Sequence, residues 1–217
     1  DEVIAISDHD SFLMARKIAE REGLLLGGSC GTAVAAALQV AEELSADDLV
    51  VVLTPDSGRT YLSKVFNDAW MAEFGFLTTS TGVSVGDVVE QKSTEGPALI
   101  FVNPTQSVRD AVLLMRKHGV SQLPVAKNEM PLAAAEVMGS VNELRLMEAS
   151  FADDGVLDRP VEDVMSSAMP TIGVGQAIEL AVELLDHATA LLVLDGGRPR
   201  TVISRSDVLN FLSLDEV

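Results

Sequence analysis

The stretch that decides the fold is Gly23-Leu24-Leu25-Leu26-Gly27-Gly28-Ser29-Cys30-Gly31, which runs directly into the alanine-rich segment 32–44. Three leucines bounded by glycines predict a short buried strand, and the run after them, with its Ala-Ala-Ala centre, predicts a helix. Glycines at such a join let a ligand approach the backbone, and Ser29 follows them where the free N–H groups of a helix N-terminus point outward. The sequence therefore indicates a cofactor contact or a nucleophile at this turn.

Three interpretations of the turn compete. Residues 27–31 fit the G-x-S-x-G elbow of α/β-hydrolases. That chemistry also needs an acid and a histidine downstream, and His118 and His187 both fall near the ends of amphipathic helical patterns. Alternatively, Ser29 makes a polar contact to a flat cofactor ring lying over the turn. In the third interpretation the glycine-rich turn only packs a helix on a strand, and these nine residues alone leave all three open.

Composition sets the class of the protein. The 217 residues are 47% hydrophobic but only 4% aromatic, which favours small aliphatic side chains in α/β layers. A net charge of −18 opposes contact with nucleic-acid phosphates or anionic lipid, so we expect neither nucleic acid nor membrane as a partner. The single cysteine fits a reducing cytoplasm. The chain begins at Asp1 without a signal-like segment, and we expect it to be a piece of a longer protein.

Helical and apolar patterns alternate in the first 77 residues. Apolar spacing predicts a helix over 10–22 with Asp10 as its N-cap. Residues 49–53 (LVVVL) predict a parallel strand covered on both faces. Because two strands cannot form a domain, we expect partner strands from outside this section. Ligands of such α/β folds bind beyond the carboxyl ends of the strands, where Ser29 and Asp56 would lie.

Residues 9–77 also carry an ordered set of short motifs: His9-Asp10-Ser11-Phe12, Ala15-Arg16, Glu22-Gly23-Leu24, Gly27-Gly28-Ser29, Leu53-Thr54-Pro55-Asp56-Ser57, Arg59, Tyr61, Asn67-Asp68 and Trp70-Met71. In this order they resemble the end of the catalytic domain of the cystathionine β-synthase family, fold-type II enzymes that depend on pyridoxal 5′-phosphate. The resemblance implies that Ser29 faces the pyridine nitrogen of the cofactor, that Gly27 and Gly28 belong to the same site, and that Asp56 lies near the ring. A neutral hydroxyl leaves the ring a weaker electron sink than a carboxylate would, which suits β-elimination and replacement.

Two parts of that family's catalytic site have no counterpart here. Its Schiff-base lysine belongs to an Asn-Ser-x-x-x-x-Lys type motif, and its phosphate loop is rich in Thr and Gly; neither occurs in this sequence. The five lysines present lie in polar settings. We therefore expect no catalytic residue and no metal site in this chain, a cofactor bound mainly by upstream residues, and no turnover by the chain alone.

Beyond a Thr/Ser/Gly-rich linker at 78–84, the sequence repeats itself. Val85-Gly86-Asp87-Val88-Val89 recurs as Val161-Glu162-Asp163-Val164-Met165, and apolar helix positions 108, 111, 112 and 115 recur at 178, 181, 182 and 185. The strand Leu123-Pro124-Val125 recurs at 191–194, and a strand end at Asn142 recurs at Ser204. Two copies of a β-α-β-β-α unit explain this order. The predicted organisation is a first repeat at 85–150, a linker at 151–160 and a second repeat at 161–217.

The tandem unit resembles the paired CBS domain, a module that binds adenosyl compounds in clefts between its repeats. The resemblance implies that Ser204 and Asp207 contact a ribose, and that Val120 and Gln122 complete the site. The first copy has Asn142 and Arg145 instead, and an arginine cannot accept hydrogen bonds from ribose hydroxyls. One adenosyl ligand per chain is expected. Alternatively, Asp207 only caps the last helix.

The effector and the whole activity follow from the same resemblance. We expect Arg198, Arg200 and Arg205 to surround the Ser204–Asp207 motif, where they could pair with phosphates and favour AMP or ATP. The resemblance of the parent favours S-adenosylmethionine instead. The predicted fold is α/β: the C-terminal part of a fold-type II domain followed by a CBS pair, assembled as a homodimer or homotetramer. The predicted parent converts L-serine and L-homocysteine to L-cystathionine and water. A cysteine synthase with the same tail and a nucleotide-sensing module on another protein remain alternatives.

Overall fold

The computed structural model describes residues 2–92, 99–127 and 129–214. Within these ranges the first section has the helices α1 (Asp8–Glu22), α2 (Gly28–Ala41) and α3 (Asp68–Glu73). The tandem pair has the helices α4 (Val85–Gln91), α5 (Val108–His118), α6 (Glu143–Ala152), α7 (Ile178–His187) and α8 (Arg205–Leu214). Its strands are β1 (Gln122–Ala126), β2 (Val137–Asn142), β3 (Thr171–Gly173), β4 (Ala190–Asp195) and β5 (Arg198–Ser204). In the part described, every helix falls short of the length and apolar character that crossing a membrane requires.

Helices α1 and α2 pack directly against each other. The predicted helix over 10–22 is confirmed, but it begins at Asp8 because Ser7, and not Asp10, is its N-cap: the Ser7 hydroxyl accepts a hydrogen bond from the Asp10 N–H at 3.0 Å. The two helices approach so closely that a Cβ on Gly31 would overlap the backbone oxygen of Ser11. Glycine is therefore required there for helix packing.

The two strands predicted in the first section do not form. Leu26 makes one isolated antiparallel bridge with Ser57, while Leu24 is 54% exposed. Residues 49–53 have no strand neighbour in the described chain, and Leu49 is 87% exposed. An apolar run indicates that a segment is suited to burial, but a strand also needs a neighbouring strand to pair with its N–H and C=O groups. The strand predictions are wrong for the chain as described, because residues 24–26 have only that one bridge and residues 49–53 have no strand neighbour there.

The predicted repeats are confirmed in the tandem pair. In the second repeat β4 lies between β3, which is parallel to it, and β5, which is antiparallel, with α7 and α8 on the sheet. In the first repeat β1 and β2 are antiparallel, and a single parallel bridge between Val102 and Val125 takes the place of the first strand. The order of elements is the β-α-β-β-α order inferred from the sequence.

Each repeat begins inside the core of the other one. Helix α4, which opens the first repeat, buries Val85 and Val88 among the side chains of β4, β5 and α8. Val161, which opens the second repeat, is fully buried with side chains of α5, β1 and β2. Backbone bonds follow the same exchange, since the Val85 N–H donates to Gln176 O and the Val161 N–H donates to Gln106 O. The two repeats therefore cannot separate without breaking both cores.

The first section is joined to the second repeat through α3 and the turn after it. The Thr171 hydroxyl donates to the Glu73 carboxylate at 2.6 Å, and the Gly197 N–H donates to Phe74 O at 2.7 Å. A Cβ on Gly173 would overlap the backbone oxygen of Ala72. We call this contact between residues 72–77 and the second repeat the seam.

Candidate cofactor and effector sites

The turn that precedes α2 gathers three polar side chains around one carboxylate. Asp56 accepts hydrogen bonds from the Tyr61 hydroxyl at 2.8 Å, the Cys30 thiol at 3.2 Å and the Ser29 hydroxyl at 3.4 Å. Ser29 is exposed at the N-terminus of α2, whereas Cys30 is buried beneath it. The structure therefore brings Ser29 and Asp56 together as the sequence predicted. It adds Tyr61, which was noted in the family pattern but not as a site residue.

Gly27 and Gly28 are both buried at this turn, and both are explained by packing. The Gly27 N–H donates to the backbone oxygen of Asp56, and a Cβ on Gly27 would overlap the Asp56 carboxylate. A Cβ on Gly28 would come within 2.8 Å of the Phe12 ring. Gly27 thus lets Asp56 lie over the start of α2, where a negative charge is stabilised by the helix dipole.

Hydrogen bonding sets the charge of this cluster. The Tyr61 hydroxyl first, and then the Cys30 thiol and the Ser29 hydroxyl, hold the pKa of the Asp56 carboxyl below its ordinary value of 3.8. The same contact raises the pKa of Tyr61 above 10.0. Asp56 is therefore ionised and Tyr61 neutral at neutral pH.

The hydrolase interpretation of this turn lacks its base. Neither His118 nor His187 contacts Ser29 or Asp56 in the described chain, and the hydrogen-bonded neighbours of Ser29 there are limited to Asp56. A serine nucleophile needs a general base within hydrogen-bond reach. The geometry thus disfavours the G-x-S-x-G assignment.

The residues at the turn fit the edge of a pyridoxal phosphate site. Ser29 presents an exposed hydroxyl at a helix N-terminus, and its 3.4 Å bond to Asp56 is long enough to be exchanged for one to a ligand. Four of the five lysines (Lys17, Lys64, Lys117 and Lys127) are exposed, and Lys92 is half-buried far along the chain in an ion pair.

Among the described residues, no three His, Cys, Asp or Glu side chains are close enough to hold a metal ion.

The predicted effector motif lies where β5 runs into α8. One carboxylate oxygen of Asp207 accepts hydrogen bonds from both the N–H and the hydroxyl of Ser204, each at 2.7 Å. The other oxygen pairs with the Lys92 ammonium at 3.0 Å, and that ammonium also donates to Val202 O at 2.7 Å. Lys92 directly follows α4, so the exchange of the opening segments is what brings it to this site.

The Ser204–Asp207 geometry is also that of a helix cap. Ser84 with Asp87 and Ser107 with Asp110 make the same pair of bonds at the starts of α4 and α5. The alternative that Asp207 caps the last helix therefore agrees with the hydrogen bonds of this residue. Asp207 differs from Asp87 and Asp110 in one respect: among these three aspartates of the described chain, it alone pairs with a lysine.

Gln122 and Val120 approach this motif to different degrees. The Gln122 side-chain oxygen accepts a hydrogen bond from the Thr189 hydroxyl at 2.8 Å. Thr189 precedes Ala190, which is the strand partner of Ser204, so Gln122 is tied to the strand beside the motif. Val120 is half-buried against the core of the first repeat. Thr189 and Lys92 were not predicted, although Thr189 takes the place of Ser121 in the repeat pattern.

The expectation that three arginines surround the motif is wrong. Arg198 and Arg200 lie at the start of β5, and Ser204 lies at its end, about 20 Å from Arg198 in an extended strand. Arg200 pairs there with Asp195 at 3.2 Å. Arg205 does lie beside Ser204, but its guanidinium donates to backbone oxygens at the end of α7, Leu185 O among them at 2.6 Å.

In the first repeat Arg145 takes the position of Asp207, and its side chain has no acceptor for a ribose hydroxyl. The Asn142 side chain caps α6 by accepting from the Arg145 N–H at 2.9 Å, and the Arg145 guanidinium pairs with Glu148 at 3.3 Å. The geometry agrees with the inference that the first cleft has lost this contact.

Comparison with known proteins assigns both parts of the chain. The family model described as pyridoxal-phosphate dependent enzyme matches residues 1–56, and the model described as CBS domain matches residues 85–149 and 161–214. The cystathionine β-synthase of Dictyostelium discoideum is 28% identical over 225 residues, which cover 98% of this chain and 44% of that protein. A Bacillus subtilis protein named “Probable cysteine synthase” is 46% identical over 70 residues, covering 32% of this chain and 22% of that protein.

The fold of the pair has solved counterparts. A structure of a CBS-domain protein from Burkholderia ambifaria matches with a TM-score of 0.54 and 22% identity, and covers 62% of this chain and 97% of that one. The chain spans less than half the length of the curated relatives described above. Since the CBS-domain model alone matches more than half of the chain, the chain belongs to the CBS-domain family, and it carries in front of its CBS pair a segment of the pyridoxal-phosphate dependent enzymes.

Proposed function

We propose that this chain is the C-terminal part of a pyridoxal-phosphate dependent β-replacement enzyme, in which the CBS pair is an adenosyl-binding regulatory module. The observation that carries the first half is the exposed Ser29 hydroxyl beside the Asp56 carboxylate, in a segment that matches the enzyme family. Pyridoxal phosphate, when bound, supplies an electron sink for amino-acid chemistry. Ser29 would contact its ring nitrogen as a neutral group, and Asp56 with Tyr61 would hold Ser29 in place.

The substrates proposed for the whole protein are L-serine and L-homocysteine, with L-cystathionine and water as products. Support comes from relatives named cystathionine β-synthase along most of the chain. The cysteine synthase alternative has its own support in the Bacillus subtilis relative, whose match is confined to 70 residues. Because the residues that select the second substrate lie outside this chain, the two are separated by assay.

The assay compares the two second substrates on the protein that contains this chain together with its upstream residues. Homocysteine with serine is expected to give cystathionine faster than sulfide with O-acetylserine gives cysteine. Ser29→Ala should lower kcat/KM and shift the absorption of bound cofactor, while Ser63→Ala, an exposed serine of the same section, should change neither. An unchanged cofactor spectrum in Ser29→Ala would remove Ser29 from the site.

The observation that carries the regulatory half is the Ser204–Asp207 pair at the end of β5, next to the strand that Gln122 contacts through Thr189. A carboxylate and a hydroxyl one helical turn apart provide acceptors for a ribose diol. The test is calorimetric titration of this chain with AMP, ATP and S-adenosylmethionine, repeated on Asp207→Ala. At least one ligand should bind the unmodified chain and be lost in the variant.

A matched control separates ligand contact from helix capping. Asp110→Ala removes the same two cap bonds at the start of α5. It is expected to lower stability slightly, as loss of a cap does, and to leave adenosyl binding intact. Equal loss of binding in Asp110→Ala and Asp207→Ala would mean that Asp207 acts through folding alone.

A further inference from the structure

The Lys92 ammonium pairs with the Asp207 oxygen that a ribose hydroxyl would need as its hydrogen-bond acceptor. Of the two carboxylate oxygens, one already accepts two hydrogen bonds from Ser204, and the other pairs with the Lys92 ammonium at 3.0 Å. The Asp207 side chain is only 18% exposed, so little of it remains open to solvent. A ligand that donates ribose hydroxyls to Asp207 therefore competes with Lys92 for the same oxygen.

The repeat symmetry connects Lys92 to Asp207 independently of the distance. Val85 and Val161 are equivalent in the two repeats, and the same offset makes Ala168 the equivalent of Lys92. Asn142 and Ser204 are equivalent too, and their offset makes Arg145 the equivalent of Asp207. The cleft with the carboxylate thus has the lysine, while the cleft without the carboxylate has an alanine. Since the two residues come from different repeats, their coincidence at one cleft and not the other indicates a paired function.

The charges around the motif are positive although the chain carries −18 overall. Lys92 and Arg205 both lie beside Asp207 and Ser204, at the N-terminal, electropositive end of α8. Arg205 is fixed by the backbone oxygens at the end of α7 and cannot leave without exposing them. Lys92 is one third exposed and has a flexible four-carbon stem, so its ammonium is free to change partner.

We propose that Lys92 is both the resident occupant of the effector site and its selectivity determinant. In the free chain it neutralises Asp207; when an adenosine 5′-phosphate binds, the ribose takes the Asp207 oxygen and the ammonium pairs with the phosphate. Adenosine offers the ammonium no new partner, and S-adenosylmethionine brings a further positive charge. The site therefore selects adenosine 5′-phosphates over both. This inference rests on the proposed function of the CBS pair.

The experiment is calorimetric titration of the chain with AMP, adenosine and S-adenosylmethionine, for the unmodified chain and for Lys92→Gln. Without the competing ammonium, adenosine should bind about tenfold more tightly, and without the phosphate partner AMP should bind about tenfold more weakly. Lys92→Arg, which keeps the charge, should retain the preference for AMP. Lys117→Gln removes an exposed lysine on α5 and should leave all affinities unchanged.

Three results would overturn the proposal, and those that remove only Lys92 are distinguishable from the one that removes the site. If AMP binds in a manner that depends on Asp207 but Lys92→Gln keeps the same ratio of AMP to adenosine affinity, the site stands and Lys92 has no part in selection. A preference of the unmodified chain for S-adenosylmethionine has the same consequence. If none of the three ligands binds the unmodified chain or Lys92→Gln, the effector site itself is wrong and the inference falls with it.

Discussion

At the scale of single residues, Asp56 organises the turn that precedes α2. Its carboxylate accepts from Tyr61, Cys30 and Ser29, and Gly27 leaves it the room to do so. Charge-assisted bonds of this kind stabilise the ionised form, and the pKa of Asp56 is lowered accordingly. Ser29 is thus held by a negative charge that no ordinary solution pH removes.

The prediction at this scale uses Tyr61, the single tyrosine of the sequence. In Asp56→Asn the pKa of Tyr61, raised above 10.0 by Asp56 in the unmodified chain, should fall towards 10.0, because a neutral amide does not stabilise the protonated hydroxyl as a carboxylate does. Absorbance of the tyrosinate during alkaline titration measures this directly. Asp10→Asn, which also removes a carboxylate of lowered pKa, should leave the titration unchanged.

The pKa of Asp56 is lowered and the pKa of Tyr61 is raised, so the two groups contribute stability over different pH ranges. The lowered pKa of Asp56 contributes stability above 3.8 that is lost as pH falls through the pKa of the folded state. The raised pKa of Tyr61 contributes stability below 10.0 that is lost as pH rises through its folded value. The advantage of the unmodified chain over Asp56→Asn in thermal unfolding should therefore shrink at both extremes. An advantage independent of pH would contradict the assigned hydrogen bonds.

Residue types and spacing predicted part of these sites. The sequence predicts Ser29 and Asp56 together because each follows an apolar run in one α/β section, and the family resemblance adds Gly27; the structure brings the three into contact. Lys92 could not be expected, because nothing local distinguishes it from an exposed lysine. Its contact with Asp207 depends on which repeat receives α4. Periodicity identifies the buried face of α4 but not the core that buries it.

At the scale of elements, α4 packs in the second repeat and Val161 packs in the first, and this exchange decides which parts unfold together. Val88 on α4 is 2% exposed and packs with residues of β4, β5 and α8 of the other repeat. Helix periodicity predicted α5 and α7 correctly, and the internal repeat predicted the strands β1 and β4. The apolar run at residues 49–53 does not form a strand, since such a run predicts burial and the described chain supplies no strand beside it.

Val88→Ala tests the exchange. Removing buried methyl groups without refilling the space should lower the free energy of unfolding by about 2 kcal/mol. Amide hydrogen exchange should become faster in β4 and β5, although Val88 belongs to the first repeat in sequence. Val182→Ala, at a half-exposed position on α7, should change stability by less than about 0.5 kcal/mol. Loss of protection confined to β1 and β2 would mean that α4 packs on its own repeat.

At the scale of the whole molecule, β4 connects the effector motif to the seam. Its first residue, Ala190, pairs with Ser204, and at its far end Leu194 lies against Gly75 of the seam. Both faces of the strand are buried, with Leu191 and Val193 in one core and Leu192 and Leu194 in another. β4 is therefore a continuous, close-packed element between the effector motif and the seam.

The seam itself is tested by Gly173→Ala. The new Cβ would overlap the backbone oxygen of Ala72, which cannot turn aside as a side chain would, so the segment before the linker must move off the second repeat. We expect a loss of about 1–3 kcal/mol in the free energy of unfolding, as for other overpacked sites. Trp70, the single tryptophan, stacks on Phe74 and should become more accessible to a soluble quencher. Gly82→Ala, where a Cβ meets open space, is the control. Equal Trp70 quenching in both variants would show that residues 72–77 are not held by the CBS pair, and a ligand at Ser204 would then have no route through β4 to the section that carries Ser29.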